Sequence, residues 1–247
     1  MKFTAIIPAR YASSRFPGKP LALLGDKMVI QHVYEQVSKV LEDVYVATDD
    51  ERIFDAVQGF GGKAVMTSAN HRSGTDRVCE AIEKLNSDAD VIINIQGDEP
   101  FIKPEQIKTV MQLFDNEDTE IATLGKHFET MDAVDNPNSP KIAVGRNGRA
   151  LYFSRSVIPF VRGREHAEWL KAYPFLKHIG IYAYRRDTLM HIRDLSPTPL
   201  EIAESLEQLR WLENGINIRV GLTNVETIGI DTPDDLRKAE AFLKTLM

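Results

Sequence analysis

A group of cationic side chains follows the first apolar segment of the chain. Arg10, Arg15 and Lys19 lie in the stretch Pro8–Pro20, together with hydroxyls and many backbone N–H groups. The first 25 positions hold no acidic residue, although the 247-residue chain has 36 Asp and Glu against 30 Lys and Arg. Guanidinium forks, an ammonium and backbone amides together suit a polyphosphate. The stretch therefore predicts an anion-binding loop, with a solvated basic loop as the alternative.

Two carboxylates follow strand-like segments further along. Asp98 comes just after the apolar run Val91–Ile95, and Asp231 follows Ile228-Gly229-Ile230. In an open α/β sheet, ligands bind beyond the carboxyl ends of the strands. Mg²⁺ binds one or two carboxylates together with substrate phosphates and water. We therefore expect the two aspartates to share a Mg²⁺ beside the cationic loop; the alternative for each is a turn or capping residue.

Other chemistries are not supported by the sequence. The cationic loop lacks the spacing of a Walker A motif, and no G-x-G-x-x-G follows the first strand, which argues against an ordinary NAD dehydrogenase. There is no H-E-x-x-H and no G-x-S-x-G, and the single cysteine, Cys79, excludes a C-x-x-C zinc site and an internal disulfide. The net charge of −6 argues against nucleic-acid binding, and no apolar run suggests a membrane span. We expect a protein of the reducing cytoplasm.

Strand and helix signals alternate along the first half, as is typical of βαβ units. They predict an α/β fold with a doubly wound, mostly parallel sheet. After about residue 120 the pattern becomes mixed, so we expect a single domain over 1–247 with an α+β insertion at roughly 125–195. The alternating pattern then returns. It predicts a helix over Glu201–Asn214, strands near Ile218–Leu222 and at 227–230, and a last helix that Thr232 caps.

Several blocks of the sequence resemble the 3-deoxy-manno-octulosonate cytidylyltransferases, the CMP-Kdo synthetases. They occur in the order of that family and span essentially the whole chain. The blocks are Ile6–Pro20, Val46–Asp50, Ser73–Arg77, Asn94–Pro100, Ala150–Arg155, His178–Tyr182, Leu206–Arg210 and Gly229–Pro233.

The resemblance implies a Mg²⁺-dependent nucleotidyltransferase that joins CTP to the acidic sugar Kdo, releases pyrophosphate and serves lipopolysaccharide synthesis in the cytoplasm. It also implies a homodimer, with its contact in the 125–195 region. The matched catalytic positions are Arg10, Lys19, Asp98 and Asp231, of which the two aspartates bind metal. The matched nucleotide-binding positions are Arg10, Arg15, Lys19, Ser73 and Gln96. The matched sugar-binding positions are Arg155, His178, Tyr182, Glu207 and Gln208.

Alternatives remain open from the residues alone. His178 could be a satisfied, half-buried histidine and Tyr182 a core residue. Glu207 and Gln208 could lie on the solvated face of a helix whose apolar positions are Ile202, Leu206 and Leu209. The substrate could be an 8-amino analogue of Kdo or a sialic-acid-like sugar, and a nucleotide-binding regulator without catalysis is a further alternative.

Overall fold

The computed structural model describes residues 1–13, 15–71, 73–225 and 228–245. The chain divides into two compact units. The first comprises Met1–Lys108 with Glu226–Met247, and the second comprises Thr109–Val225. The second unit contains the predicted 125–195 insertion and extends beyond it at both ends, while the single domain over 1–247 stays a prediction. No helix in the described part of the chain is both long enough and apolar enough to cross a membrane.

The strands are numbered in chain order. They are β1 (Phe3–Ala9), β2 (Leu23–Leu24), β3 (Lys27–Met28), β4 (Val44–Thr48), β5 (Ala64–Met66), β6 (Val91–Asn94), β7 (Ile121–His127), β8 (Lys141–Val144), β9 (Ala150–Ser154), β10 (Leu176–Arg185) and β11 (Ile218–Leu222).

The α-helices are numbered in the same way, with short 3-10 turns between some of them. They are α1 (Val29–Ser38), α2 (Glu51–Gly59), α3 (Gly74–Lys84), α4 (Pro104–Gln112), α5 (Met131–Asp135), α6 (Trp169–Ala172), α7 (Arg186–Arg193), α8 (Pro199–Glu204), α9 (Gln208–Glu213) and α10 (Pro233–Thr245).

The first unit contains a parallel sheet in the order β6-β1-β4-β5. Every residue of β6 is buried, as expected for a strand whose two faces are both covered. Helices α1, α2 and α3 pack against these strands, and α1 buries Val29, Ile30, Val33 and Val37, one face of a 3.6-residue repeat. The predicted α/β fold with a mostly parallel sheet is confirmed.

The strand order of the first unit reverses beside β1. The chain runs outward from β1 to β4 and β5, and then returns to place β6 on the other side of β1. Ligands of open α/β sheets bind at such a reversal, beyond the carboxyl ends of the two neighbouring strands. The loop after β1 carries the cationic stretch and the loop after β6 carries Asp98, so the topology brings these two segments to one edge of the sheet.

The second unit is mixed, as predicted for the insertion. Strand β7 pairs in parallel with β11 and antiparallel with β10, while β8 pairs antiparallel with both β10 and β9. Four aromatic and aliphatic side chains form a separate core cluster, namely Phe128, Val134, Trp169 and Phe175. The aromatic stretch between β9 and β10 is therefore partly core.

Two predicted elements were wrong. The helix over Glu201–Asn214 is two helices, α8 and α9, because Ser205 adopts a left-handed conformation with φ of 50° and ends α8. Residues 228–230 are not a strand, so Asp231 does not follow a strand end. Thr227, which was included in that strand, lies outside the described residues, as do Ser14 of the cationic stretch and Leu246 of the last helix.

Gly97 permits a close approach between the loop after β6 and the end of β1. A Cβ at this position would lie 2.8 Å from the Pro8 carbonyl oxygen, a contact with backbone that cannot swing away. We expect Gly97→Ala to lower the free energy of unfolding by about 1–3 kcal/mol, measured by urea denaturation. Gly59→Ala is the matched control, since no atom lies within 4 Å of its added Cβ and α2 favours alanine. An equal effect of the two substitutions would contradict the argument.

Candidate active site

A cavity of about 400 Å³ opens beyond the carboxyl ends of β1 and β6 in the first unit. Its volume is in the range typical of small-molecule sites. Most of the predicted catalytic and nucleotide-binding side chains line it, and these are Arg10, Arg15, Lys19, Gln96, Asp98 and Asp231. Residues from three distant parts of the sequence therefore meet at one cavity.

Lys19 joins the two aspartates inside this cavity. Its Nζ lies 2.6 Å from Asp98 Oδ2 and 3.4 Å from Asp231 Oδ1, and only 13% of its side chain is exposed. Arg15 Nη2 reaches the same Asp231 oxygen at 3.1 Å from a more open position, with 65% of the side chain exposed. The two carboxylates are thus held close together by cations.

Backbone contacts, and not a strand end, bring Asp231 to this place. The Ile230 N–H donates to the Asp98 carbonyl oxygen at 2.9 Å, which ties the two aspartate segments to each other. Immediately afterwards the Thr232 hydroxyl accepts from the Asp235 N–H, while the Asp235 carboxylate accepts from the N–H groups of Thr232 and Asp231. This capping box begins α10 and fixes the backbone of Asp231.

Arg10 holds the segment before α3. Its Nη2 donates to the carbonyl oxygens of His71 at 2.7 Å and Ser73 at 3.3 Å. The Ser73 hydroxyl accepts from the Asp76 N–H and forms a capping box with Asp76, so this hydroxyl has a structural role. The next residue, Gly74, lines the cavity at the N-terminus of α3, which is an electrostatically favourable place for a phosphate.

Two of the predicted sugar-binding residues lie on β10 in the second unit. The His178 and Tyr182 rings are 5.2 Å apart, and Tyr182 packs edge-on against Trp211 of α9 at 5.1 Å. Burial lowers the pKa of His178 to about 4 and raises the pKa of Tyr182 well above its ordinary value. Both side chains are therefore neutral at pH 7 and suit hydrogen bonding to hydroxyls.

The other three lie around the break between α8 and α9. The Arg155 guanidinium donates to the carbonyl oxygens of Glu204, Pro137 and Ser205 at 2.7, 3.1 and 3.3 Å, so it braces this break. The break brings Glu207 and Gln208 to the start of α9. Gln208 is only 5% exposed, so the alternative of a solvated helix face was wrong for it, and Ile202, taken as apolar core in that alternative, is 68% exposed. Among the described residues, Gln208 Nε2 has no hydrogen-bond partner.

Comparison with known proteins identifies the family of this chain. The family model described as cytidylyltransferase matches residues 4–218. The 3-deoxy-manno-octulosonate cytidylyltransferase of Phocaeicola vulgatus is 61% identical over 247 residues, which cover 99% of this chain and 98% of the relative. The chain belongs to the 3-deoxy-manno-octulosonate cytidylyltransferase family. A relative with the same name from Bacteroides thetaiotaomicron is 60% identical and covers 99% of both chains.

The similarity extends to the three-dimensional structure. The structure of a CMP:2-keto-3-deoxy-manno-octonic acid synthetase complexed with CTP matches with a TM-score of 0.93 and 45% identity, over the full length of both chains. The resemblance and the enzyme class predicted from the sequence are confirmed: this member of the 3-deoxy-manno-octulosonate cytidylyltransferase family is a nucleotidyltransferase.

Buried polar contacts that were not predicted from the sequence support the cavity of this cytidylyltransferase. Arg77 is fully buried and donates to Thr67 Oγ1 at 2.5 Å and to Asp49 Oδ2 at 3.1 Å, linking α3 to the loop after β4. Asp49 and Arg77 lie within blocks that resemble the family. The sequence signal that could have revealed this contact is Arg77 itself, a charged residue on the buried face of a helix.

A second missed support lies before α3. Burial by itself raises the pKa of Glu80, but hydrogen bonds from Lys84, the Ser68 N–H and His71 outweigh burial and lower that pKa to about 2. Because the His71 carbonyl also accepts from Arg10, the Glu80 carboxylate holds a segment that contacts the cationic loop. Neither His71 nor Glu80 belongs to a motif block, so the sequence offered no signal.

The lowered pKa of His178 predicts a pH dependence of stability. As the pH falls below about 6.5 the unfolded chain gains a proton at this residue, but the folded chain does not until about pH 4. Stability is therefore lost between these pH values, by on the order of 2–3 kcal/mol for this group. We expect His178→Gln to show a smaller decrease in the free energy of unfolding between pH 6.5 and 4, measured by urea denaturation.

His191→Gln serves as the control for that measurement, because this imidazole is exposed on α7. It should keep the wild-type dependence on pH. Equal losses of unfolding free energy in His178→Gln and the wild type over this interval would refute the claim that burial keeps His178 neutral.

Proposed function

We propose that this enzyme joins CTP to 3-deoxy-D-manno-octulosonate, gives CMP-Kdo and pyrophosphate, and depends on Mg²⁺. The anomeric hydroxyl of the sugar attacks the α-phosphorus, the bond from that phosphorus to the bridging oxygen breaks, and the hydroxyl loses its proton. CTP is the nucleotide in the similar solved structure, and Kdo is in the names of the curated relatives. Lipopolysaccharide synthesis would consume the product.

The observation that carries this proposal is the group of charges in the cavity. Arg10, Arg15 and Lys19 line it together with two carboxylates, and the α3 N-terminus opens onto it. A triphosphate and a sugar acid are both anions, and a preorganised group of cations stabilises the negative charge that builds on the departing pyrophosphate. Lys19 and Arg10 take this role, and Arg15 assists from the rim. Gln96 and the Ser73 segment contact the nucleotide.

The residues in the cavity fit a divalent cation. Asp98 and Asp231 present carboxylate oxygens to the same cavity, and their side chains are 27% and 52% exposed. Among the described residues there is no group of three or more His, Cys, Asp or Glu that could hold a metal without substrate. Two carboxylates completed by phosphate oxygens and water are a usual Mg²⁺ site. Bound there, Mg²⁺ would supply Lewis-acid stabilisation of phosphate charge.

The sugar acid is assigned to the residues of the second unit. Neutral His178 and Tyr182 suit its hydroxyls, and the buried Gln208 Nε2 is a donor that calls for an acceptor. Glu207 can accept from a hydroxyl. Arg155 donates three of its N–H groups to backbone carbonyls. Its role in the site therefore includes holding the α8–α9 break.

We expect Asp98→Asn to lower Mg²⁺-dependent pyrophosphate release from CTP plus Kdo by about a hundredfold or more, since charge stabilisation by a metal contributes several kcal/mol. The substitution keeps the shape of the side chain and removes its charge. Asp88→Asn is the control, because Asp88 also pairs with a lysine, Lys2, but does not line the cavity. Near-normal turnover of a folded Asp98→Asn enzyme would refute the metal assignment.

We expect Lys19→Met to lower kcat/KM for CTP by about tenfold or more, since a charge-assisted hydrogen bond contributes roughly 1.5–3 kcal/mol. Lys19→Arg keeps a cation at this position and should lose less. Initial rates of pyrophosphate release at varied CTP and saturating Kdo measure the effect. Unchanged CTP kinetics in Lys19→Met would overturn the phosphate-binding role of the loop.

One panel tests the substrates directly. Pyrophosphate release is measured with each of the four nucleoside triphosphates against Kdo, its 8-amino analogue and a sialic acid. The proposal requires CTP with Kdo to be the preferred pair. Preference for another sugar acid would replace the substrate but keep the reaction, and nucleotide binding without turnover in every combination would identify a regulator.

We also propose a homodimer that works in the cytoplasm. The support for the dimer is an exposed aromatic side chain in the second unit: Phe160 is 74% exposed and packs edge-on against Trp169 at 5.0 Å. Phe160 lies in the 125–195 region, where the contact is expected. Light scattering after size exclusion would give the mass, and Phe160→Glu should shift it toward that of one chain.

A further inference from the structure

Backbone hydrogen bonds to one residue, Tyr11, close the loop that carries Arg10 and Lys19. The Tyr11 carbonyl oxygen accepts from the N–H groups of Ser13 and Gly18, each at 2.9 Å. Arg10 directly precedes Tyr11, and Lys19 directly follows Gly18. The Gly18–Tyr11 hydrogen bond therefore brings the backbone at Arg10 close to the backbone at Lys19, although eight residues separate them in the chain.

The Tyr11 ring packs against the other end of the loop. Gly18 has φ of +72°, and a Cβ added there would lie 3.1 Å from two carbon atoms of the ring. Glycine suits this position for two reasons: it adopts the left-handed conformation without cost, and it leaves room for the Tyr11 ring. The position of the ring is thus linked to the backbone just before Lys19.

The ring also stacks on an arginine from another element. The guanidinium carbon of Arg52 lies 3.3 Å from the centre of the Tyr11 ring. Arg52 is held in turn by two bonds to Asp50, from Nε to Oδ1 at 2.9 Å and from Nη2 to Oδ2 at 2.7 Å. Asp50 caps α2 by accepting from the Arg52 N–H at 3.0 Å. The ring is therefore anchored to the start of a helix that packs on the sheet.

We propose that Tyr11, Arg52 and Asp50 form a clamp that positions the cationic loop for the phosphates of the nucleotide. None of the three lines the cavity, so they act as positioning residues through Arg10 and Lys19. Without the clamp the loop must be ordered by the nucleotide itself, and binding weakens by that ordering cost. The inference rests on the proposed function for its ligand, but the order of the loop can be measured without any ligand.

The clamp requires a guanidinium in particular. A planar guanidinium stacks on the ring with one face while its edge forms two parallel bonds to a carboxylate, and a lysine ammonium cannot do both. Cation–π contacts at exposed sites change equilibria by about two- to fivefold, and 59% of the Arg52 side chain is exposed. Arg52→Lys should therefore behave like Arg52→Ala and not like the wild type.

The first experiment compares Arg52→Ala and Arg52→Lys with the wild type. We expect amide hydrogen exchange in residues 10–19 of the free enzyme to rise about two- to fivefold, and KM for CTP to rise by a similar factor while kcat changes less. Arg237→Ala is the matched control: this arginine is also exposed and paired with an aspartate, Asp234, but it contacts no aromatic ring in the described structure.

The second experiment separates the effect of the Tyr11 ring from that of its hydroxyl. It also separates the role of Asp50 in the clamp from its role as a helix cap. Tyr11→Phe keeps the ring and should retain wild-type exchange and KM, whereas Tyr11→Leu should match Arg52→Ala. Combining Tyr11→Leu with Arg52→Ala should add little, because both remove the same contact. Asp50→Asn keeps a good N-cap but loses the paired charge, so the loop should loosen while exchange in α2 stays unchanged.

The outcomes separate this inference from the proposed function. Wild-type exchange in residues 10–19 and wild-type KM in both Arg52 variants would overturn the clamp, as would full additivity with Tyr11→Leu. If the wild type releases no pyrophosphate from CTP and Kdo, the proposed function fails. The exchange measurement then still decides whether the clamp orders the loop.

Discussion

The site depends on one partly buried ammonium between two carboxylates. Lys19 lies within 2.6 Å of Asp98 and 3.4 Å of Asp231, and each partner comes from a different, distant part of the chain. A lysine that is only 13% exposed needs such partners, because burying an unpaired charge is costly. The carboxylates in turn repel each other unless a cation lies between them. The pairing therefore keeps all three groups together at the cavity.

In the first unit a different structural feature positions each of Lys19, Asp98 and Asp231. The reversal of strand order beside β1 brings the β1 and β6 loops together, and Gly97 allows them to approach. A single backbone bond from Ile230 to the Asp98 carbonyl brings in the third segment. Around them, buried charges such as Arg77 with Asp49 tie the neighbouring loops to helices. A site held by such supports is preorganised, which is how electrostatic catalysis avoids the cost of reorientation.

The second unit uses burial in the opposite way. Desolvation keeps His178 neutral and prevents ionisation of Tyr182, so these two side chains need no charged partner. The break at Ser205 then turns Gln208 inward, where a helix continuing from α8 would follow another course. Neutral side chains of this kind can exchange hydrogen bonds with uncharged hydroxyls. Charged groups thus line the cavity of the first unit, whereas His178 and Tyr182 of the second unit are neutral.

Much of this protein follows from its sequence. Continuous apolar runs identify the buried strands, the 3.6-residue repeat identifies α1 to α4, and Ser73 and Thr232 mark helix starts, because all of these are local preferences. The resemblance of ordered blocks identifies the family and names Lys19, Asp98 and Asp231 together. Local rules failed where a non-local contact decides. Ser205 divides a helix that its periodicity would continue, and Asp231 is positioned by a hydrogen bond to a residue far away in the chain.

The sequence by itself determined which residue types are present, which segments are strands and helices, and the class of chemistry that they suit. The tertiary structure alone decided which of those residues meet. Tyr11 on Arg52, Arg77 beside Asp49 and the three backbone partners of Arg155 leave no trace in a periodic pattern, because each depends on the approach of separate elements. The physical reason is that charge pairing, stacking and desolvation act over a few ångströms in space, whereas propensity and periodicity act over a few residues along the chain.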